Sequence, residues 1–202
     1  MPDTKHIIRQ YSLEAGALEV QYIEDYFDEF RNKKTAEEIV RRLRHRDHLI
    51  LLSMAPSPDE DDPGRLIPVS FKVGHELTHR ESDPQLLELL AELRGCIDFQ
   101  DRRVFYSWIG GTRGPWRGCG HYRALTEQQE EWAHRNGFNE IVVKTKNKFY
   151  PMRATLAQLR FNVVRFQSSP DDVAESKVYL SKKIGPDTLQ QHRTQRSVVV
   201  SI

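Results

Sequence analysis

Sulfur is scarce in this chain of 202 residues: two cysteines, Cys96 and Cys119, and no C-x-x-C spacing. One pair in a chain this long builds no disulfide framework, so a reducing compartment, the cytoplasm, is expected. Charge of either sign in excess is also missing. A net charge of +1 gives no general attraction to nucleic acid or to an anionic membrane, and neither is expected as a partner. No apolar run is long enough to span a bilayer, and the opening residues, MPDTKHIIRQYSLE, carry no apolar signal core. The histidines show no metal-ligand spacing. Residues 41–48, RRLRHRDH, hold two of them, but at a helix end, where positive charge is favoured anyway. No metal is expected. G-x-x-x-x-G-K-[ST] is absent and the glycines do not fit G-x-G-x-x-G, which excludes an NTPase P-loop and a dinucleotide fold.

What is present is periodicity. Residues 6–11 read as a first strand. In residues 18–30, Ile23, Tyr26, Phe27 and Phe30 share one helical face, while Glu24, Asp25, Asp28 and Glu29 line the other. Thr35 to Glu38 is a capping-box pattern that opens a second helix through Ile39, Val40 and Leu43. Residues 49–54 read as a buried strand, 56–63 as an exposed acidic loop, and the alternation of Ile67, Val69, Phe71 and Val73 as a strand with one buried face. Residues 84–93 read as a helix. Later come a helix over 123–134 closed by Asn136-Gly137, a strand over 141–145, a short helix with Pro151 in its first turn, and strands over 161–166 and 177–184. No repeat and no linker interrupts them. A single domain over residues 1–184 is expected, with 185–202 as an extension whose last residues, SVVVSI, are strand-like and suited to pairing with a sheet edge across a homodimer.

The most informative stretch is residues 104–125, VFYSWIGGTRGPWRGCGHYRAL. An aromatic strand leads into a glycine-rich loop, residues 110–120, and then a helix. Such a turn binds phosphate: glycines let the backbone come close, and free N–H groups at the helix start point at an anion. The run Arg117, Gly118, Cys119, Gly120, His121, Tyr122, Arg123, Ala124, Leu125 resembles the acetyl-CoA loop of the GNAT superfamily of N-acetyltransferases, [QR]-x-x-G-x-[GA]. Arg117 and Gly120 match; Tyr122 stands where Gly or Ala is usual. Downstream, the strand at 141–145, then Asn147, a helix and Phe161 keep the family's order, with Arg160 in place of a Gly before the Phe. The resemblance spans roughly residues 67–184.

The resemblance implies an α/β (α+β) fold with a mixed, mostly antiparallel sheet of about seven strands flanked by helices. It also implies direct transfer of an acetyl group from acetyl-CoA to an amine of a small molecule or peptide. The diphosphate falls to Gly118, Cys119, Gly120, His121, Tyr122 and Arg123, with Arg117 as the fixed basic position and Arg113 as an added cation. The pantetheine arm falls near Ile109, Gly110, Gly111 and Thr112, with Asn147 reaching the arm. Cys119 at a helix start invites a nucleophile reading, but at this loop position it faces phosphate, so it reads as a bystander. An ammonium of pKa about 10 must lose a proton before it attacks. The family's usual strand Glu and helix Tyr are absent; the latter position falls near Leu156. Tyr106, Ser107 and Glu76 are the candidate catalytic residues, with Asp25, Glu29 and Tyr150 as further substitutes. The missing pair leaves a second reading open: an acyl-CoA-binding sensor or scaffold without catalysis.

Overall fold

The computed structural model of the chain describes residues 6–13, 19–27, 34–58, 64–188, 190 and 192. Seven strands are β1 (Ile7–Tyr11), β2 (His48–Pro56), β3 (Leu66–Leu77), β4 (Val104–Thr112), β5 (Glu140–Lys146), β6 (Asn162–Gln167) and β7 (Lys177–Lys183). They form one sheet in the order β1-β2-β3-β4-β5-β7-β6. β4 and β5 run parallel, while β1–β2, β2–β3, β5–β7 and β6–β7 are antiparallel. The helices are α1 (Glu19–Tyr26), α2 (Ala36–Leu43), α3 (Pro84–Leu93), α4 (His121–Arg135) and α5 (Tyr150–Gln158). This is the mixed α/β sheet with flanking helices that the resemblance implies. Among the described residues no helix is long and apolar enough to cross a membrane.

The chain's contacts gather into two units, residues up to 75 with 109–126, and 76–108 with 127–202. In the first, the capping box forms as its spacing requires: Glu38 N–H donates to Thr35 Oγ1 and Thr35 N–H to Glu38 Oε2, each at 3.1 Å. Glu24 on α1 accepts from Ala36 N–H at 2.8 Å, so this acid of the polar helix face caps its neighbour. The apolar run Leu49 to Leu52 is buried throughout, as a strand covered on both faces must be. Phe27 meets Phe71 edge to face at 4.5 Å. Phe27 lies just past the end of α1. Asp28, Glu29 and Phe30, expected to extend that helix, lie outside the described residues.

In the second unit, Asp83 accepts from Gln85 N–H and Leu86 N–H and Pro84 sits in the first turn of α3. Leu86, Leu89 and Leu93 then pack in one core with Val104, Tyr106, Val142 and Tyr179. Trp132 on α4 stacks near Phe105 and Phe138, with ring centroids 5.4 and 6.0 Å away. Glu130 on α4 is fully buried and meets Lys182 Nζ of β7 at 2.5 Å. His192 Nε2, from the stretch beyond residue 184, lies 2.8 Å from the same carboxylate. The strand-like SVVVSI lies outside the described residues.

One boundary is corrected. Residues 110–112 belong to β4 rather than to the loop. The strand persists because a Cβ at Gly110 would stand 3.1 Å from Phe71 O, an approach that glycine alone makes without strain. Ser70 Oγ then donates to Gly111 O at 2.9 Å, and Arg113 N–H to Val69 O at 3.0 Å.

Candidate active site

The first unit holds the glycine loop. After β4, a single 3-10 turn over Gly114–Trp116 reverses the chain, and Arg117 Nε donates back to Thr112 O at 3.0 Å. That bond fixes the loop from within. The guanidinium of Arg113 lies 4.9 Å from the Trp116 ring centroid and 5.8 Å from that of Tyr26. Gly118 and Gly120 both take positive φ, +79° and +83°, which L side chains adopt only with strain. These two residues turn the backbone into α4. The first intrahelical bond there is Ala124 N–H to Gly120 O, at 3.0 Å. The amides of His121 and Tyr122 precede it and stand outside the helical ladder. Cys119 is exposed, and its thiol faces Arg117 O at 3.8 Å.

Beneath the start of α4 lies a polar layer. Tyr122, at the departure from the resemblance's pattern, receives a hydrogen bond from Lys72 Nζ at 3.2 Å, and that ammonium stands 4.3 Å from the centroid of its ring. Burial pushes the Tyr122 phenol well above its ordinary range. His121 Nδ1 lies 2.9 Å from Ser53 Oγ and 3.2 Å from His6 Nδ1. Burial first, and the neighbouring His6 second, hold the His121 imidazole below its usual pKa. Lys72, Ser53 and His6 were not legible as site residues. Lys72 falls at an in-between position of the alternation Ile67, Val69, Phe71 and Val73, which predicted one buried face; β3 is instead buried on both faces, and Lys72 is 1% exposed. A lysine between buried positions of a strand was the signal available.

The second unit holds the remaining candidates. Glu76 accepts from Arg103 Nε and Nη2 at 3.1 and 2.9 Å, and Arg103 also donates to Asn136 O at 2.8 Å. Its carboxylate is thus engaged in an ion pair. Tyr106 is buried in the α3 core, and Ser107 is 5% exposed beside Val143 in the β4–β5 register. Asn147 uses its side chain locally: Nδ2 donates to Val173 O at 3.1 Å, and Oδ1 accepts from Arg153 Nη1. Its N–H donates to Ser176 O at 2.8 Å. Leu156, at the place of the family's tyrosine, is fully buried. Tyr150, the first residue of α5, is 61% exposed and is the accessible phenol among the named candidates.

No protein-family model matches this chain. No curated protein matches it in sequence. Solved structures do match in fold. Arabidopsis thaliana NAA60 in complex with acetyl-CoA superposes with a TM-score of 0.63 at 13% identity, over 88% of this chain and 99% of that one. An acetyltransferase of the GNAT family from Streptococcus pneumoniae superposes with a TM-score of 0.57 at 12% identity, over 90% of this chain and all of the other. A chain of the NatC complex bound to Gag peptide and CoA gives 0.60 at 12% identity, over 89% and 99%.

Proposed function

On the premise that this is the fold of the GNAT N-acetyltransferases, we propose that the protein transfers an acetyl group from acetyl-CoA directly to an amine of a small molecule or peptide. The observation that carries this reading is the turn from β4 into α4. Two left-handed glycines, Gly118 and Gly120, leave helix-start amides outside the ladder in the stretch whose motif resembles the GNAT acetyl-CoA loop. The reading assigns the domain to residues 1–184.

The residues present fit the cosubstrate. The diphosphate is held by amides from Gly118 to Arg123, with Arg117 and Arg113 as cations and α4 favouring negative charge by its dipole. The pantetheine arm takes β4 from Ile109 to Thr112. When bound, acetyl-CoA supplies the activated acyl group. The chain's task is to hold that group and an amine in line, which removes much of the entropic barrier. It must also take a proton from the ammonium and return one to the leaving thiolate. Tyr150 is the group we assign to the second role, because its phenol is open while Tyr106 is enclosed by the core.

A binding-only module is the second reading, and the engagement of Glu76 by Arg103 favours it. Calorimetric titration with acetyl-CoA, with desulfo-CoA and NAD as controls, tests both. Micromolar binding of acetyl-CoA that Gly120→Trp abolishes is the expected result. Absence of binding at near-millimolar cofactor overturns both readings. Binding without acetylation of any amine in a panel read by mass spectrometry selects the module.

A further inference from the structure

At the end of the sheet where β4 and β5 begin and β7 ends, the second unit holds a cleft of about 900 Å³. That size suits a small organic molecule. None of its lining residues belongs to the glycine loop. Two of its three acids are engaged. Glu140, 3% exposed, accepts from Arg102 Nη1 at 2.8 Å and from Ser181 Oγ. Asp98 accepts from the N–H groups of Gln100 and Asp101 at 3.0 and 3.1 Å. The ammonium of Lys182 is taken at 2.5 Å by Glu130, which stands outside the lining. What remains is mainly cationic. Arg160 and Lys183 line the cleft and are exposed, and neither side chain has a hydrogen bond or ion pair among the described residues. Asp187 is the remaining acid set against these two cations.

Arg160 is also strained. Among the described residues two non-glycines take positive φ, His45 and Arg160, each at 64°. Histidine is enriched in that region of backbone space; arginine is not. Glycine would adopt this φ freely at the close of α5. The arginine therefore costs stability, and its guanidinium returns no contact to the fold. Backbone strain of this kind gathers at ligand clamps. We propose that the cleft binds an oxyanion, phosphate or carboxylate, carried by a small organic molecule, with Arg160 as its forked donor and Lys183 as a second cation. A planar guanidinium offers two parallel N–H bonds to either group. Ile97, Val164 and Ile184 give the cleft an apolar wall for the rest of the ligand. The site is independent of the glycine loop and stands whether or not acetyl-CoA binds there.

Backbone-amide NMR of the full chain tests this, because the cleft and the glycine loop report through separate signals. The probes are inorganic phosphate in one arm and succinate in the other, with ionic strength held constant by sodium chloride. Saturable shifts of the Arg160, Asn162 and Lys183 amides are expected in at least one arm, and the arm with the tighter binding names the anionic group. Arg160→Gly is expected to weaken that binding about tenfold or more, the share of a charge-assisted pair, while the Tm rises. Lys183→Gln is expected to weaken it by a smaller factor, with the Tm little changed. A purely structural Arg160 would instead lower the Tm on removal and leave the affinity as it was, and that result overturns the proposal. Shifts confined to the amides of residues 118–123 place the anion in the glycine loop and overturn it as well. So do cleft shifts that sodium chloride alone reproduces, or no saturable shift in either arm.

Discussion

At the scale of single residues, accessibility separates the catalytic candidates. Tyr106 is 6% exposed in a core of leucines and aromatics, whereas Tyr150 is 61% exposed at the start of α5. A phenol that returns a proton to a thiolate has to reach it. Tyr150→Phe is therefore expected to lower kcat by roughly a hundredfold, the lower range of general-acid contributions, with KM for acetyl-CoA little changed. Tyr106→Phe keeps the ring in its core and is expected to retain most of kcat. Steady-state kinetics on the best amine of a panel checks both, and equal losses would remove the assignment. Residue identity alone did not rank these phenols, because burial is set by which helix covers which strand. The same holds for Lys72: its neighbours in the chain mark a strand, but only the covering side chain of Tyr122 shows that the ammonium is enclosed.

Two helix endings show how far local pattern reaches at the scale of elements. After α4, Phe138 N–H bonds Ala133 O at 3.0 Å and Gly137 N–H bonds His134 O at 3.1 Å, with Gly137 at φ +79°. After α5, Phe161 N–H bonds Leu156 O and Arg160 N–H bonds Ala157 O, both at 2.9 Å, with Arg160 at φ +64°. Both are Schellman closures, and the second places a side-chain-bearing residue where glycine fits without strain. This accounts physically for the glycine that the resemblance expects there. Arg160→Gly is expected to stabilise the protein by about 1 kcal/mol, the cost of a left-handed non-glycine residue less glycine's own entropy. Chemical denaturation measures it, and a loss of stability would mean that the guanidinium holds more than the strain costs. Asn136-Gly137 was legible because its residues are the usual ones. The capping box was legible for the same reason, whereas the start of the loop was misplaced by three residues because glycines also serve close strand contact, as Gly110 does.

A turn offers the pH-dependent prediction at the same scale. Glu175 accepts from Lys146 Nζ at 2.5 Å and from Lys148 Nζ, and those two bonds hold its carboxyl at about 2, down from 4.5. A depressed carboxylate stabilises the fold above its unfolded value, and that contribution fades as pH falls from 4.5 towards 2. The segment concerned is 147–148 with 174–176, joined by Asn147 N–H to Ser176 O and Lys148 N–H to Ala174 O. Hydrogen exchange of those two amides, corrected for intrinsic rates, is expected to lose protection on acidification through this window. Glu175→Gln is expected to flatten that dependence, and an unchanged profile would assign it to another group. High salt is expected to weaken the effect, since both ion pairs are partly exposed.

At the scale of the whole molecule, the mixed, mostly antiparallel sheet of about seven strands was legible through the resemblance carried by the loop and the elements after it. The order β1-β2-β3-β4-β5-β7-β6 is legible only in the structure, whose fold is shared with solved acetyltransferases at identities of 12 to 13%. What such a likeness leaves open is occupancy of the loop, and stability reports it without knowledge of the amine. A ligand that binds only the folded chain adds about 2.7 kcal/mol at a hundred times its Kd. For a chain of this size, that corresponds to a rise in Tm of about 5–10 °C. Acetyl-CoA is expected to give this rise, and Gly120→Trp to abolish it. The tryptophan also strains a residue at φ +83°, so the variant's own Tm falls, and the comparison has to be the increment with ligand rather than the Tm itself. An increment equal in both proteins would place the ligand elsewhere. An increment with NAD as large as with acetyl-CoA would mean that the loop selects a diphosphate and not an acyl thioester, and the acetyltransferase reading would fall with it.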